Sequence, residues 1–175
     1  PEDADALEEL GPDIDESPLP GENAETLCLR LAEAKARALA ADYPQHLIIG
    51  SDQVLLLDGE AVSKPGNHAA AVRQLQLCSG RRIRFSTAIC LLNSRSGHIQ
   101  QAVEPFDVVF RELDNASIER YLLAEQPYDC AGSFKSEGLG ICLFESLQGE
   151  DPNSLIGLPL IRLCTMLRNE GLQLP

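Results

Sequence analysis

The run Leu47-Ile48-Ile49-Gly50-Ser51-Asp52-Gln53-Val54-Leu55-Leu56-Leu57 constrains this chain more than any other stretch. It reads as a buried strand interrupted by three polar residues. A carboxylate drawn into so apolar a run is costly unless it is paired. The fold must therefore bury most of this strand while giving Asp52 a polar cleft, a cation or a metal. The plainer alternative is an Asp in a turn, or one satisfied by backbone N–H groups.

The elements around this strand follow from punctuation and periodicity. Residues 1 to about 22 look irregular, broken by Pro12, Pro18, Pro20 and Gly21. Asn23 can cap a helix to about Asp42, with Leu27, Leu31, Ala34 and Ala38 on one face and Pro44 as its stop. Asp58-Gly59 predicts a hairpin turn, and a second helix spans about Asn67 to Leu77, ending near Gly80. Ile83, Phe85, Thr87, Ile89 and Leu91 alternate with Arg82, Arg84 and Ser86, as a strand requires. A partner strand follows to about Arg111, with Pro105 predicting an edge or bulge. A helix over Ala116 to Ala124, a Gly-containing loop over 127 to 140, a short strand over Ile141 to Phe144 and a last helix from near Ser154 to about Glu170 complete the reading. The expected class is α/β, bordering on α+β: one domain over 1–175, with a mixed twisted sheet flanked by helices. Residues 1–11 form an atypical acidic segment.

Charge narrows the partners. The chain has 175 residues and a formal net charge of −13. Eight of its 27 acidic residues fall within residues 1–16, which hold no Lys or Arg, leaving 14 basic against 19 acidic residues in the rest. No basic face of the kind a nucleic-acid binder needs is present, and no apolar run approaches membrane-spanning length. A phosphorylated small molecule remains open if a few cations converge. The six cysteines form no C-x-x-C pair, and most sit among apolar neighbours. They read as buried, reduced thiols, an expectation that points to the cytoplasm. The three histidines have no zinc spacing. A homodimer is one assembly open to such a chain.

Four features could carry chemistry. Asp52 is the first. The second is the scarcity of lysine: against 11 arginines stand only Lys35, Lys64 and Lys135. A lysine is a compact point charge suited to a phosphate oxygen, although taken singly each reads most simply as solvated. The third is the loop Asp129-Cys130-Ala131-Gly132-Ser133-Phe134-Lys135-Ser136-Glu137-Gly138-Leu139-Gly140, whose glycines permit close approach to a ligand but which lacks Walker spacing. The fourth is Asp13-Ile14-Asp15-Glu16, a cluster of hard carboxylates of the kind that binds Mg²⁺ or Mn²⁺, or simply a solvated charge run.

Together these pieces resemble the Maf family of nucleotide pyrophosphatases, whose fold is related to that of inosine triphosphatases. The matching segments are Pro12-Asp13-Ile14-Asp15-Glu16, Leu31-Ala32-Glu33-Ala34-Lys35-Ala36, Gly50-Ser51-Asp52-Gln53-Val54, Ser63-Lys64-Pro65, Ser79-Gly80, Thr87, Val109-Phe110-Arg111, Tyr128 through Phe134, and Ile156-Gly157-Leu158-Pro159-Leu160. The resemblance covers about nine-tenths of the chain. The resemblance implies a nucleotide cleft between two lobes and hydrolysis between the α and β phosphates of a nucleoside triphosphate with a divalent metal, Mg²⁺ or Mn²⁺. By position, Asp52 would be the catalytic carboxylate, Asp52 and Glu16 would hold the metal, and Lys35 and Lys64 would neutralise the triphosphate. Gln53 and Glu137 resemble the branch that acts on 7-methyl-GTP, and both are expected to set base specificity. Asp129 and Lys135 fall in matching loop positions without an assigned step. The resemblance implies nucleotide-pool housecleaning, with other nucleoside triphosphates or a non-catalytic role in septum formation as alternatives. The family also opens with an apolar strand and a Ser-x-x-Arg turn, and Pro1 to Gly11 holds neither.

Overall fold

The computed structural model describes residues 8–62 and 64–175. Most of the acidic segment 1–11, namely residues 1–7, lies outside the described residues, as does Ser63 of the Ser63-Lys64-Pro65 motif. Helix α1 spans Ala24–Ala38. Asn23 caps it by accepting from the Thr26 N–H at 2.9 Å, Glu25 sits in the first turn, and Lys35 and Arg37 complement the dipole in the last. The helix ends four residues earlier than expected. From Leu39 the chain tightens into bonds to the third residue back, Ala40 N to Arg37 O and Asp42 N to Leu39 O, a common ending for a helix.

The sheet contains β1 (Leu47–Leu57), β2 (Glu60–Val62), β3 (Arg82–Asn93), β4 (His98–Phe110) and β5 (Phe144–Gln148), in the order β2-β1-β3-β4-β5. A sheet flanked by helices is the expected class. The expected mixture of strand directions is corrected: among the described residues every pairing is antiparallel. Tight turns explain this. Asp58 (φ 54°) and Gly59 (φ 86°) reverse the chain between β1 and β2 in the paired left-handed conformation of a two-residue hairpin. Asn93 and His98 close the β3–β4 hairpin. Pro105 lies where β5 no longer pairs with β4, so its missing N–H disrupts no ladder. The last strand begins at Phe144 rather than Ile141, because Leu139–Leu143 winds into a 3₁₀ turn.

Alternation along the strands sorts the core into layers. Ile48 and Val54 of β1, with Ala88, Cys90 and Leu92 of β3, face α1 and pack on its Leu27, Leu31 and Ala32. The opposite face divides in two. Leu55, Ile83, Phe85 and Val108 pack with α2 (His68–Cys78) and α3 (Asn115–Glu125). Ile89 and Leu91 pack with Leu163 and Met166 of α5 (Leu160–Asn169). Between these two apolar zones the same face carries Ser51, Gln53 and Thr87, over which the short helix α4 (Asn153–Ile156) lies. Among the described residues no helix is long and apolar enough to cross a membrane.

Candidate functional site

The site begins with a close approach. A Cβ built on Gly50 would stand 2.0 Å from the Ala32 carbonyl oxygen and 3.0 Å from Ala36 N. Only glycine lets α1 settle this far onto β1. One turn along α1, Lys35 reaches Asp52, two residues further on β1: Nζ donates to Oδ1 at 2.6 Å. The same ammonium lies 2.9 Å from Glu16 Oε1. The carboxylate in the apolar strand is thus partnered by a cation, as its burial demands.

The two carboxylates around this one ammonium shift in opposite directions. Burial raises the Asp52 carboxyl above its ordinary value; Lys35 pulls it down, but burial, aided by the Glu16 charge, prevails. Glu16 is half-exposed and goes the other way, lowered first by its hydrogen bond from Lys35. For Lys35, burial disfavours the ammonium, but Asp52 and Glu16 outweigh it and the pKa rises.

This corner opens into a cleft of about 290 Å³. All three lysines of the chain line it and none of the 11 arginines does. Lys64 is exposed and makes no salt bridge with a described residue; its charge lowers both Asp52 and Glu16. Gly66 N donates to Tyr128 O at 2.8 Å, holding the Lys64 loop against the opposite wall. Asp129, Lys135 and Glu137 project from that wall. Buried Phe134 anchors it, packing edge-to-face on Phe85, Phe110 and Phe144 with centroids 4.8–5.8 Å apart.

The six residues singled out from sequence therefore gather in one place: Asp52, Lys35, Lys64, Gln53 and Glu137 line the cleft, and Glu16 closes on Lys35. Gln53 also has a structural task. Its Nε2 donates to Thr87 Oγ1 at 2.9 Å and to the Ser154 and Leu155 carbonyls at 2.9 and 3.2 Å. Ser51 Oγ lies 2.6 Å from the Gly157 carbonyl. Ser51, Gln53 and Thr87 thus staple α4 and its following turn to the sheet as the cleft floor. Sequence reading missed this framework. Its signal is polar residues on the inward face of buried strands, at Ser51, Gln53 and Thr87. Asp151 supports the same turn from behind, accepting from Asn153 N at 2.9 Å and Ile161 N at 2.8 Å.

An antiparallel sheet under helices, with lysines converging on a buried carboxylate, defines an α/β protein whose cleft suits a phosphorylated small molecule. The chain belongs to the Maf family: the family profile, described as Maf-like protein, matches residues 4–170. It is 56% identical over 169 residues to the 7-methyl-GTP pyrophosphatase of Pseudomonas aeruginosa, covering 97% of this chain and 88% of that protein. It is 59% identical over 164 residues to the 7-methyl-GTP pyrophosphatase of Pseudomonas syringae pv. tomato, covering 94% of this chain and 85% of that one.

Proposed function

We propose that this protein is a nucleoside triphosphate pyrophosphatase that hydrolyses 7-methyl-GTP to 7-methyl-GMP and pyrophosphate. The convergence of all three lysines on the Asp52 cleft carries the reading, and the names of two relatives at 56% and 59% identity support it. Water attacks the α-phosphorus, the bond from that phosphorus to the bridging oxygen breaks, and pyrophosphate leaves. Asp52 takes the proton from the attacking water; its raised pKa suits a base. Lys64, without a protein counter-ion among the described residues, neutralises phosphate oxygens as charge develops. Lys35 holds Asp52 and Glu16 in place and faces the same oxygens.

The donor set fits a divalent cation. Asp52 and Glu16 are hard carboxylates held around one point, and Mg²⁺ is commonly bound by one or two carboxylates with substrate phosphates and water completing its shell. No cluster of three or more metal-ligating side chains occurs among the described residues, which suits such a shared site better than a closed one. Bound there, the ion would supply charge neutralisation on the triphosphate.

Glu137 accepts from the N–H edge of guanine. N7-methylation makes the base cationic, and the wall offers two carboxylates, Asp129 and Glu137, against one ammonium. Gln53 acts through the floor that it staples. Six free thiols suit a reducing cytoplasm.

Pyrophosphate release from 7-methyl-GTP, GTP, dTTP and UTP with Mg²⁺ or Mn²⁺, for wild type and Asp52→Asn, tests the reading. Selective turnover of 7-methyl-GTP that falls about 10²–10⁴-fold in the variant is expected. Tight binding without turnover would replace the enzyme by a nucleotide-binding regulator.

A further inference from the structure

Lys135 and Glu137 are opposite charges two residues apart on the same wall of the cleft, yet no salt bridge joins them. Among the described residues Lys135 makes no salt bridge, and the Glu137 carboxylate receives only a long contact from Ser136 Oγ at 3.4 Å. The backbone that carries them is fixed. The Lys135 N–H donates to Tyr121 Oη at 3.0 Å. Its carbonyl accepts from Gly138 N at 3.2 Å and from Gly140 N at 3.0 Å, and Leu139 N donates to Glu125 Oε2 at 2.7 Å. Gly140 lies so close that a Cβ there would meet the Lys135 carbonyl oxygen at 2.3 Å. Two uncommitted charges on a locked turn form a preorganised donor–acceptor pair.

We infer that Lys135 is a specificity-determining residue whose ammonium donates to O6 of the guanine base while Glu137 accepts from N1–H and the 2-amino group. The inference rests on the proposed reading of the cleft as a guanine triphosphate site. The polarity decides it. Guanine presents an acceptor at position 6 beside a donor at position 1, whereas adenine presents a donor beside an acceptor and would set both partners of the wall against it. Lys35 and Lys64 already lie at the Asp52 end of the cleft, where the triphosphate belongs. Lys135 stands on the opposite wall, beside Cys130, on which its charge acts.

The test uses bases that each lack one group. GTP, inosine triphosphate without the 2-amino group, and 6-thio-GTP, in which a weakly accepting sulfur replaces O6 while N1–H and the 2-amino group stay, are compared on wild type, Lys135→Met, Lys135→Arg and Glu137→Gln. Wild type should prefer GTP over the O6-lacking analogue in kcat/KM by about 10- to 100-fold, as expected for a hydrogen bond to a charged group. Lys135→Met should bring that ratio near unity while preserving preference over inosine triphosphate, Lys135→Arg should restore part of it, and Glu137→Gln should show the reverse pattern. A Lys135→Met protein that loses the same factor on all three substrates would make Lys135 a phosphate ligand and overturn the assignment. If wild type turns over none of these unmethylated nucleotides, as selectivity for 7-methyl-GTP allows, the same ratios read as calorimetric Kd values decide Lys135, and turnover of 7-methyl-GTP itself decides the enzymatic reading. Equal Kd values for GTP and the O6-lacking analogue, or no binding, would overturn the Lys135 assignment.

Discussion

Gly50 lies flat against Ala32, so close that a Cβ at position 50 would stand 2.0 Å from the Ala32 carbonyl oxygen. Both neighbours are backbone, so nothing flexible can yield. Gly50→Ala should push α1 off β1 and lengthen the Lys35–Asp52 contact from 2.6 Å. We expect a loss of about 1–3 kcal/mol in stability, as for overpacking elsewhere. Activity should fall about 100-fold, because a misplacement of about 1 Å can cost that much. Gly11→Ala, where nothing lies within 4 Å, is the control. Equal melting temperatures for the two variants would remove this contact from the account.

Lys35 and Lys64 line one cleft but stand in different relations to the protein. Lys35 is bound by Asp52 and Glu16; Lys64 is exposed and in no salt bridge with a described residue. Lys35→Met strands two carboxylates, one of them mostly buried, so it should lower both stability and turnover. Lys64→Met should lower kcat/KM by about 10²-fold while leaving stability within about 0.5 kcal/mol, as at other surface positions. Urea melts beside steady-state kinetics separate the two. A destabilised Lys64→Met protein would show that Lys64 has a structural role as well.

The contrast shows what the sequence could disclose. Asp52 inside an apolar run announced itself because burying a charge is expensive, and the scarcity of lysine marked Lys35, Lys64 and Lys135. The cap at Asn23 and the Asp58-Gly59 turn were equally legible, since each is a local contest between side chain and backbone. Strand direction was not, because pairing joins residues far apart, such as Asp52 and Ala88. The staple from Gln53 to the Ser154 carbonyl spans 101 positions. Local pattern carries no record of a contact of that range. Glu16 looked like a solvated charge run from composition and was placed by resemblance; only the fold brings it to Lys35.

The thiols separate by burial. Burial pushes Cys28 up to about 12 and Cys78 and Cys90 up to about 11. Six buried thiols were the simplest expectation, but Cys142 is exposed and Cys130 and Cys164 are half-buried. Cys142 should react first with a disulfide reagent at neutral pH, and Cys28, Cys78 and Cys90 only on unfolding. Cys130 lines the cleft, so nucleotide should slow its labelling. Mass mapping of modified sites with and without 7-methyl-GTP checks both statements; ligand-independent labelling of Cys130 would move the nucleotide away from the 129–137 wall.

Acid should loosen the segment that brings Glu16 to the site. Glu22 holds Arg30 through two bonds, Nε to Oε1 at 2.7 Å and Nη2 to Oε2 at 2.9 Å, and Arg30 Nη2 also donates to the Ser17 carbonyl at 3.0 Å. This clamp ties the residue next to Glu16 onto α1. The Arg30 hydrogen bond, then the Leu19 N–H, lowers the Glu22 carboxyl from 4.5 to about 2. A carboxyl lowered on folding contributes stability that is complete above its unfolded value and is lost as pH falls. The contribution of Glu22 should therefore be constant above pH 4.5 and disappear progressively toward about pH 2. Glu22→Gln removes it at every pH, so wild type and variant should differ at neutral pH and converge through that window. The variant should also bind nucleotide more weakly at neutral pH, because Ser17 and its neighbour Glu16 are less firmly held. A stability difference that stays constant from pH 6 to 2 would show that the Glu22–Arg30 pair contributes through packing rather than charge.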